Sequence, residues 1–414
     1  MSAAVAERYV FSHSRTKQGV AALMLGFTAV GIFFMFLPGT LLGVWNLISI
    51  GDQHAADSIA AEFIQAHGHA QIFGWIGTFI IGIGYASLPG ARRVRRLGID
   101  EGWLCLALWT SGVLLRWSVG VFGMPWRTVL PTAAALELAG FLIFFRAVSG
   151  HRPEKGASSD VGAWALPVIV GTMWLLAILV AQLGITIWMS SAGESAVVPA
   201  TANQPLLNVT LWGFLVPFVW GFTARWAAPL FGSQRMATRA FVAGYLVSLA
   251  GAVAYAFSSN VAGAALALAG AVAVTASLGL RSVFVRIAYG WSIVGAGLGL
   301  VGALLAPESH GYIGASRHAL TVGFLSTMVF TVGPRILPAL TGRGKIFSPK
   351  LALLALEVLT VGCTMRVVAQ VLAYQGFSDA AWSWLPVSAV TELTAVTLFA
   401  LNMALTFLSK SSRG

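Results

Sequence analysis

The chain is 414 residues long, 57% hydrophobic and only 9% charged, with a mean hydropathy of +0.82, where an ordinary soluble domain carries about 25% charged residues. That balance excludes a soluble globular enzyme and places the chain among polytopic membrane proteins. The net charge of +11 does not imply nucleic acid, because no basic arm or aromatic-basic segment accompanies it and the Lys and Arg residues cluster in short loops.

The N-terminal stretch to Lys17 is short and polar. No small-residue cleavage site follows it convincingly, so the first apolar run reads as a retained helix. Apolar runs of about 20 residues, bounded by Pro, Gly and charge clusters, predict twelve helices. They lie at about 18–37, 62–88, 102–122, 130–149, 162–189, 206–228, 240–258, 260–281, 287–306, 315–336, 351–374 and 383–408. The expectation is an all-α membrane bundle, one domain over 1–414, with no internal sequence repeat evident. The longest gap, from about Pro38 to Ala61, has room only for an interfacial helix or a lid. Cys105 and Cys363 both lie within apolar segments, which implies neither a disulfide framework nor a zinc site.

Alternate loops are basic. They carry Arg92, Arg93, Arg95 and Arg96; Arg146, Arg152 and Lys155; Arg235 and Arg239; Arg281 and Arg286; Arg343, Lys345 and Lys350; and Lys410 with Arg413. The positive-inside rule assigns these loops and both termini to the cytoplasm. The opposite loops contain Asp52, Asp57, Glu194, Glu308 and Asp379. His54, His67, His69, His310 and His318 then fall toward the outer side, and only His13 and His151 are cytoplasmic.

Histidines within membrane helices are rare and need partners. His67 and His69 sit where a long apolar segment begins, and on a helix residues i and i+2 point about 200° apart, so the pair serves two neighbours and hardly one. His318 joins them from a segment some 250 residues away at the same expected depth. For His54 and His310 the plainer reading is an interfacial imidazole facing water; as candidate metal ligands the five histidines form one set. Arg116, Glu137, Arg366 and Glu392 are further charges inside apolar helices, each costly unless paired or facing a polar cavity. Arg–Glu pairs that fix helix packing are one reading. In the other, Arg116 and Arg366 bind carboxylates such as haem propionates, while Glu137 or Glu392 carries protons. Glu357 belongs either to an inner proton path or to the interface. Trp75, Trp109, Trp117, Trp212 and Trp220 read as packing or belt residues, or as flanks of a macrocycle.

Two segments resemble the NnrS family, twelve-helix bacterial membrane proteins associated with haem, copper and nitric oxide metabolism. One is His67-Gly-His69-Ala-Gln-Ile-Phe-Gly-Trp75. The other is Arg317-His318-Ala-Leu-Thr-Val-Gly-Phe324, followed by Gly333-Pro-Arg-Ile-Leu-Pro338 and Thr341-Gly-Arg343. The likeness covers the whole chain in architecture and about 40 residues in motif. Many members place Glu-Met after the second histidine, where this chain has Ala70 and Gln71, so a carboxylate role there does not carry over. A looser likeness of architecture links the chain to the catalytic subunits of haem-copper oxidases and nitric oxide reductases, in which a His-x-His pair on one helix serves two haems.

The resemblance implies b-type haem, one or two, with copper or a second iron as a further possibility. His318 with His67 or His69 would ligate a low-spin haem, and the remaining histidine a second iron. No Cys-x-x-Cys-His is present, which excludes covalent c-type haem. The expected activity is reduction of nitric oxide to nitrous oxide with electrons from quinol or a redox partner, or nitric oxide binding without turnover, in a bacterial inner membrane. The alternatives are a secondary transporter, against which the outer-side crowding of polar residues speaks, and a haem- or metal-insertion factor.

Overall fold

The computed structural model describes residues 14–92, 98–149, 162–305 and 310–408. The described residues form twelve helices and no strand. We number them α1 (14–53), α2 (61–92), α3 (Ile99–Phe122), α4 (Trp126–Ser149), α5 (Ala165–Ala192), α6 (Ala200–Phe231), α7 (Thr238–Ala256), α8 (Asn260–Ser277), α9 (Val283–Leu305), α10 (310–340), α11 (Pro349–Tyr374) and α12 (Ala381–Leu408). Eleven of them, all but α2, are long and apolar enough to cross a membrane. The chain is an all-α polytopic membrane bundle.

The first helix corrects one expectation. Pro38 does not end it: the chain passes through π-helical turns at Met35–Leu41 and continues as Leu42–Gln53, stopping at His54 with φ +50°. The stretch expected as a separate interfacial helix or lid is therefore mostly the extension of α1. At about 1.5 Å per residue this helix is roughly 60 Å long, about twice the hydrocarbon thickness of a bilayer.

The helices fall into three successive sets of four with the same neighbour relations. Within each set the first packs on the second, the second on the third and the third on the fourth. The fourth then packs on the first helix of the next set, α4 on α5, α8 on α9 and α12 back on α1, which closes a ring. The second helices, α2, α6 and α10, lie inside it. In α6 and α10, 72% of the apolar window is buried, against at most 44% in any other span. Apolar side chains point to lipid on the outer helices and to neighbours on both sides of the inner ones.

This arrangement supplies a register that the sequence alone does not, and it reveals a repeat. On the inner helices His69-Ala-Gln-Ile-Phe-Gly74-Trp, Asn208-Val-Thr-Leu-Trp-Gly213-Phe and His318-Ala-Leu-Thr-Val-Gly323-Phe align, and each segment opens π-helical turns, Ala70–Gly77, Thr210–Leu215 and Ala319–Ser326. The glycine receives an aromatic ring from the first helix of its set in all three. A Cβ on Gly74 would lie 2.6 Å from Phe34, on Gly213 2.9 Å from Trp174, and on Gly323 2.5 Å from Trp291. The third and fourth helices cross in a shared register too: a Cβ on Gly112, Gly251 or Gly362 would sit 2.9, 2.9 or 3.1 Å from the backbone nitrogen of Glu137, Ala267 or Glu392. Four residues beyond those glycines stand Arg116, Tyr255 and Arg366. Sets one and three thus share a His, Arg and Glu at matching positions, and set two has Asn208, Tyr255 and Ala267 instead.

Among the described residues, loops after odd-numbered helices gather at one end of the bundle, where Gln65 pairs with the backbone of Val198 at 2.9 and 3.0 Å and His54 meets Asp379 at 3.2 Å. At the other end Arg146 binds Glu101 at 2.6 Å and Arg343 donates to the carbonyl of Phe407 at 2.5 Å. That second end also holds the described basic loops with Arg235, Arg281 and Arg343; the basic segments 93–97, 150–161 and 409–414 lie outside the described residues, as do His13, His151 and Glu308.

Candidate functional site

A cavity of about 630 Å³ opens among the inner helices toward the His54 end, within the range of small-molecule and cofactor sites. Exposed Asp57 lies at its mouth, and its walls are mostly apolar, with Phe73, Phe330 and Leu211 among them. Six of the residues singled out from the sequence line it together: His67, His69, His318, Arg116, Arg366 and Glu392. Glu137 stands immediately behind His69.

The three histidines differ in how they are held. His67 Nδ1 lies 2.9 Å from the carbonyl of Gly39, in the π-helical turns of α1, and His318 Nδ1 lies 3.4 Å from the carbonyl of Gly314 one turn earlier. Both rings are only partly buried, and among the described residues no hydrogen bond engages Nε2 of either. An imidazole whose Nδ1–H is held by a backbone carbonyl presents Nε2 as a ligand in a fixed tautomer. Arg366 stands within electrostatic range of both rings, and the two rings of each other. The close approach of α1 depends on glycine, since a Cβ on Gly43 would come within 2.7 Å of the His67 ring.

His69 is committed elsewhere. Its Nε2 sits 2.9 Å from Oε1 of Glu137, its ring stacks on Phe73 at 4.6 Å, and both partners of the ion pair are buried. Glu137 Oε2 accepts from Gln182 Nε2 at 3.1 Å. The carboxylate is therefore bonded on both oxygens. A buried charge with this complement of donors is a stable arrangement, whereas removing one partner leaves an uncompensated charge.

Around Arg366 the pairing is incomplete. Arg366 is 5% exposed, hydrogen-bonds the Tyr374 hydroxyl, and has Nε and Nη1 without partners; Glu392 Oε1 also has none. Arg317, which also lines the cavity, donates from Nη2 to Gln204 while its Nε is unpaired, and Nη1 of Arg116 is buried without a partner. Buried donors without partners are uncommon in native folds, and each calls for an explanation.

Other expected positions fall outside the cavity. His54 is about half exposed, paired with Asp379 and stacked on Trp382 at 5.7 Å. His310 begins α10, and its side chain lies outside the described residues. Glu357 is on an exposed face of α11. None of the five tryptophans lines the cavity: Trp75 donates to Ser326, Trp109 to the carbonyl of Phe73, Trp117 to the carbonyl of Pro38, and Trp212 packs near Trp220. Among the described residues no group of three or more His, Cys, Asp or Glu side chains is placed to hold a metal ion by itself. Gln182, Gln204, Arg317 and Tyr374 were not singled out as site residues from the sequence. A lone Gln in the apolar 28-residue α5 was the available signal for Gln182.

No model of a known protein family matches the chain, and no curated protein matches it either.

Proposed function

We propose that this chain is a b-type haem protein of the bacterial inner membrane that acts in nitric oxide metabolism, most concretely by reducing nitric oxide to nitrous oxide with quinol-derived electrons. The observation that carries the haem reading is the pairing of His67 and His318. They come from two inner helices, line one cavity, are each tethered at Nδ1, and keep Nε2 without a hydrogen-bond partner. The unpaired arginine nitrogens fit a ligand with anionic groups, as the propionates of haem are. The nitric oxide reading rests on the resemblance of the His67–Trp75 and Arg317–Phe324 segments to the NnrS family.

Bound haem with two axial imidazoles carries electrons, and with one it leaves a position open to a diatomic gas. In this reading His67 and His318 would hold the haem iron through Nε2, which favours His67 over His69 as the partner of His318. His69, held at Nε2 by Glu137, has only Nδ1 left for a second iron or copper. Arg116 and Arg366 supply positive charge against carboxylates. Conversion of nitric oxide to nitrous oxide consumes a proton and an electron per nitric oxide, and Glu392, whose Oε1 has no partner, is the group that holds the proton at the cavity wall.

The test is turnover of purified protein with reduced quinol and nitric oxide. Nitrous oxide should form without acidification of the outer side, and Glu392→Gln should slow it while haem stays bound. Protein that binds nitric oxide over many equivalents and releases no nitrous oxide would leave capture or sensing and remove the reductase. The same unpaired arginines favour one other reading, a carrier or insertion factor for an organic anion, which purified protein without haem absorption would support.

A further inference from the structure

His67 and His318 line one cavity, but they do not come from matching positions of the repeat. His318 aligns with His69 and Asn208, whereas the positions that align with His67 are Leu206 and Ser316. Among the first helices of the three sets, π-helical turns occur only in α1; α5 and α9 are α-helical throughout. These two departures meet in space, because the carbonyl that His67 Nδ1 approaches at 2.9 Å is that of Gly39, within those turns. We infer that the π-helical turns of α1 make His67 the fixed imidazole of the pair and leave His318 the displaceable one, so that a small neutral ligand such as a diatomic gas takes the place His318 gives up.

Three side chains bind successive residues of those turns. Trp117 Nε1 of α3 donates to the carbonyl of Pro38 at 3.2 Å, His67 Nδ1 to that of Gly39, and Gln71 Nε2 of α2 to Thr40 Oγ1 at 3.1 Å. Gln71 also lies against Gly39 itself, where a Cβ would come within 2.6 Å of its Nε2. Trp117 and Gln71 thus hold the turn that holds His67, and they are positioning residues. A carbonyl only accepts, so Nδ1 of His67 carries the proton, and 2.9 Å is an ordinary length for such a bond. His318 has weaker support. Its Nδ1 lies 3.4 Å from the carbonyl of Gly314, beyond the usual range of about 2.7–3.2 Å, and that carbonyl belongs to its own helix one turn earlier. Among the described residues no second helix gives its ring a hydrogen bond. Turning the ring costs little of so long a contact, and the cavity it lines gives it room. The inequality belongs to the chain alone, and its consequence for a gas rests on the haem reading.

The test reads the tautomer of each ring by NMR in the full-length protein, freed of any haem and carrying isotopically labelled histidine nitrogens. His67→Gln and His318→Gln assign the signals. His67 should be a single Nδ1–H tautomer and His318 a mixture of the two. Gln71→Leu and Trp117→Phe should each raise the Nε2–H share of His67 about fivefold, the weight of one ordinary hydrogen bond, and leave His318 unchanged. Either variant suffices if the other does not fold, and a merely structural role of these residues would move both rings or neither. With haem bound and reduced, carbon monoxide is the probe: the wild-type complex should share the vibrational frequency of the His318→Ala complex and differ from that of His67→Ala. Two rings locked alike, a mixed His67 beside a locked His318, or a wild-type complex that matches His67→Ala would overturn the inference. The NMR comparison decides the inequality with or without haem, so its failure and the failure of the haem reading are read separately.

Discussion

Sets one and three are built alike and finished differently. Both bring a histidine at the start of a π-helical stretch, a glycine crossing beside a glutamate, and an arginine one turn beyond that glycine. In set one the histidine and the glutamate bond each other; in set three Glu392 keeps an unpaired oxygen and Arg366 two unpaired nitrogens. Shared backbone crossings therefore fix where the polar residues stand, and the partner helix decides whether they are used up. Gln182 of α5, from the next set, donates to Glu137 Oε2 and so completes the pairing of that carboxylate.

The largest difference should appear in stability. Glu137→Ala leaves His69 and Gln182 unpartnered in a buried site, a loss of about 3–5 kcal/mol by the usual cost of breaking a buried pair. Glu392→Ala, whose Oε1 is already unpaired, should cost less than half as much. Thermal unfolding in detergent measures both, and equal losses would show that the two glutamates are paired alike.

A smaller effect tests the repeat itself. Gly74→Ala, Gly213→Ala and Gly323→Ala each push a Cβ into the ring of Phe34, Trp174 or Trp291, and overpacking of this kind costs about 1–3 kcal/mol. The three losses should agree to within a factor of about two, the usual scatter of such sites. A neutral substitution in one set and a severe one in another would break the equivalence.

The smallest effect belongs to His54. Its pair with Asp379 is solvent-exposed on both sides, and exposed pairs contribute about 0–1 kcal/mol. His54→Ala should leave stability, and in the haem reading the absorption spectrum, unchanged; a lost spectral feature would return His54 to the ligand set.

Helix number and most boundaries were legible because apolar runs of membrane length and the loops between them are local features of the chain. The extension of α1 past Pro38 was not, since a proline ordinarily marks a helix limit and only the π-helical turns around it let the helix continue. The clustering of His67, His69, His318, Arg116, Arg366 and Glu392 was legible because each is a polar residue in an apolar segment, and such residues seldom face lipid. Their division was not. His67 and His69 are two residues apart and alike in sequence, and only the positions of Gly39 and Glu137, on other helices, free one Nε2 and occupy the other. The repeat is hidden in the sequence because its matches are few and spread over helices about 110 to 140 residues apart, and the glycine contacts supply the register.

The visible absorption spectrum of the purified protein and of three histidine variants tests the central claim most directly. Wild type should show a Soret band near 400 nm from b-type haem, with a low-spin signal that His67→Ala and His318→Ala abolish, because iron losing one axial nitrogen becomes five-coordinate, and that His69→Ala retains. Fresh protein with no Soret band and no iron would contradict haem binding, and a low-spin signal lost in His69→Ala but kept in His67→Ala would contradict the assignment of the pair.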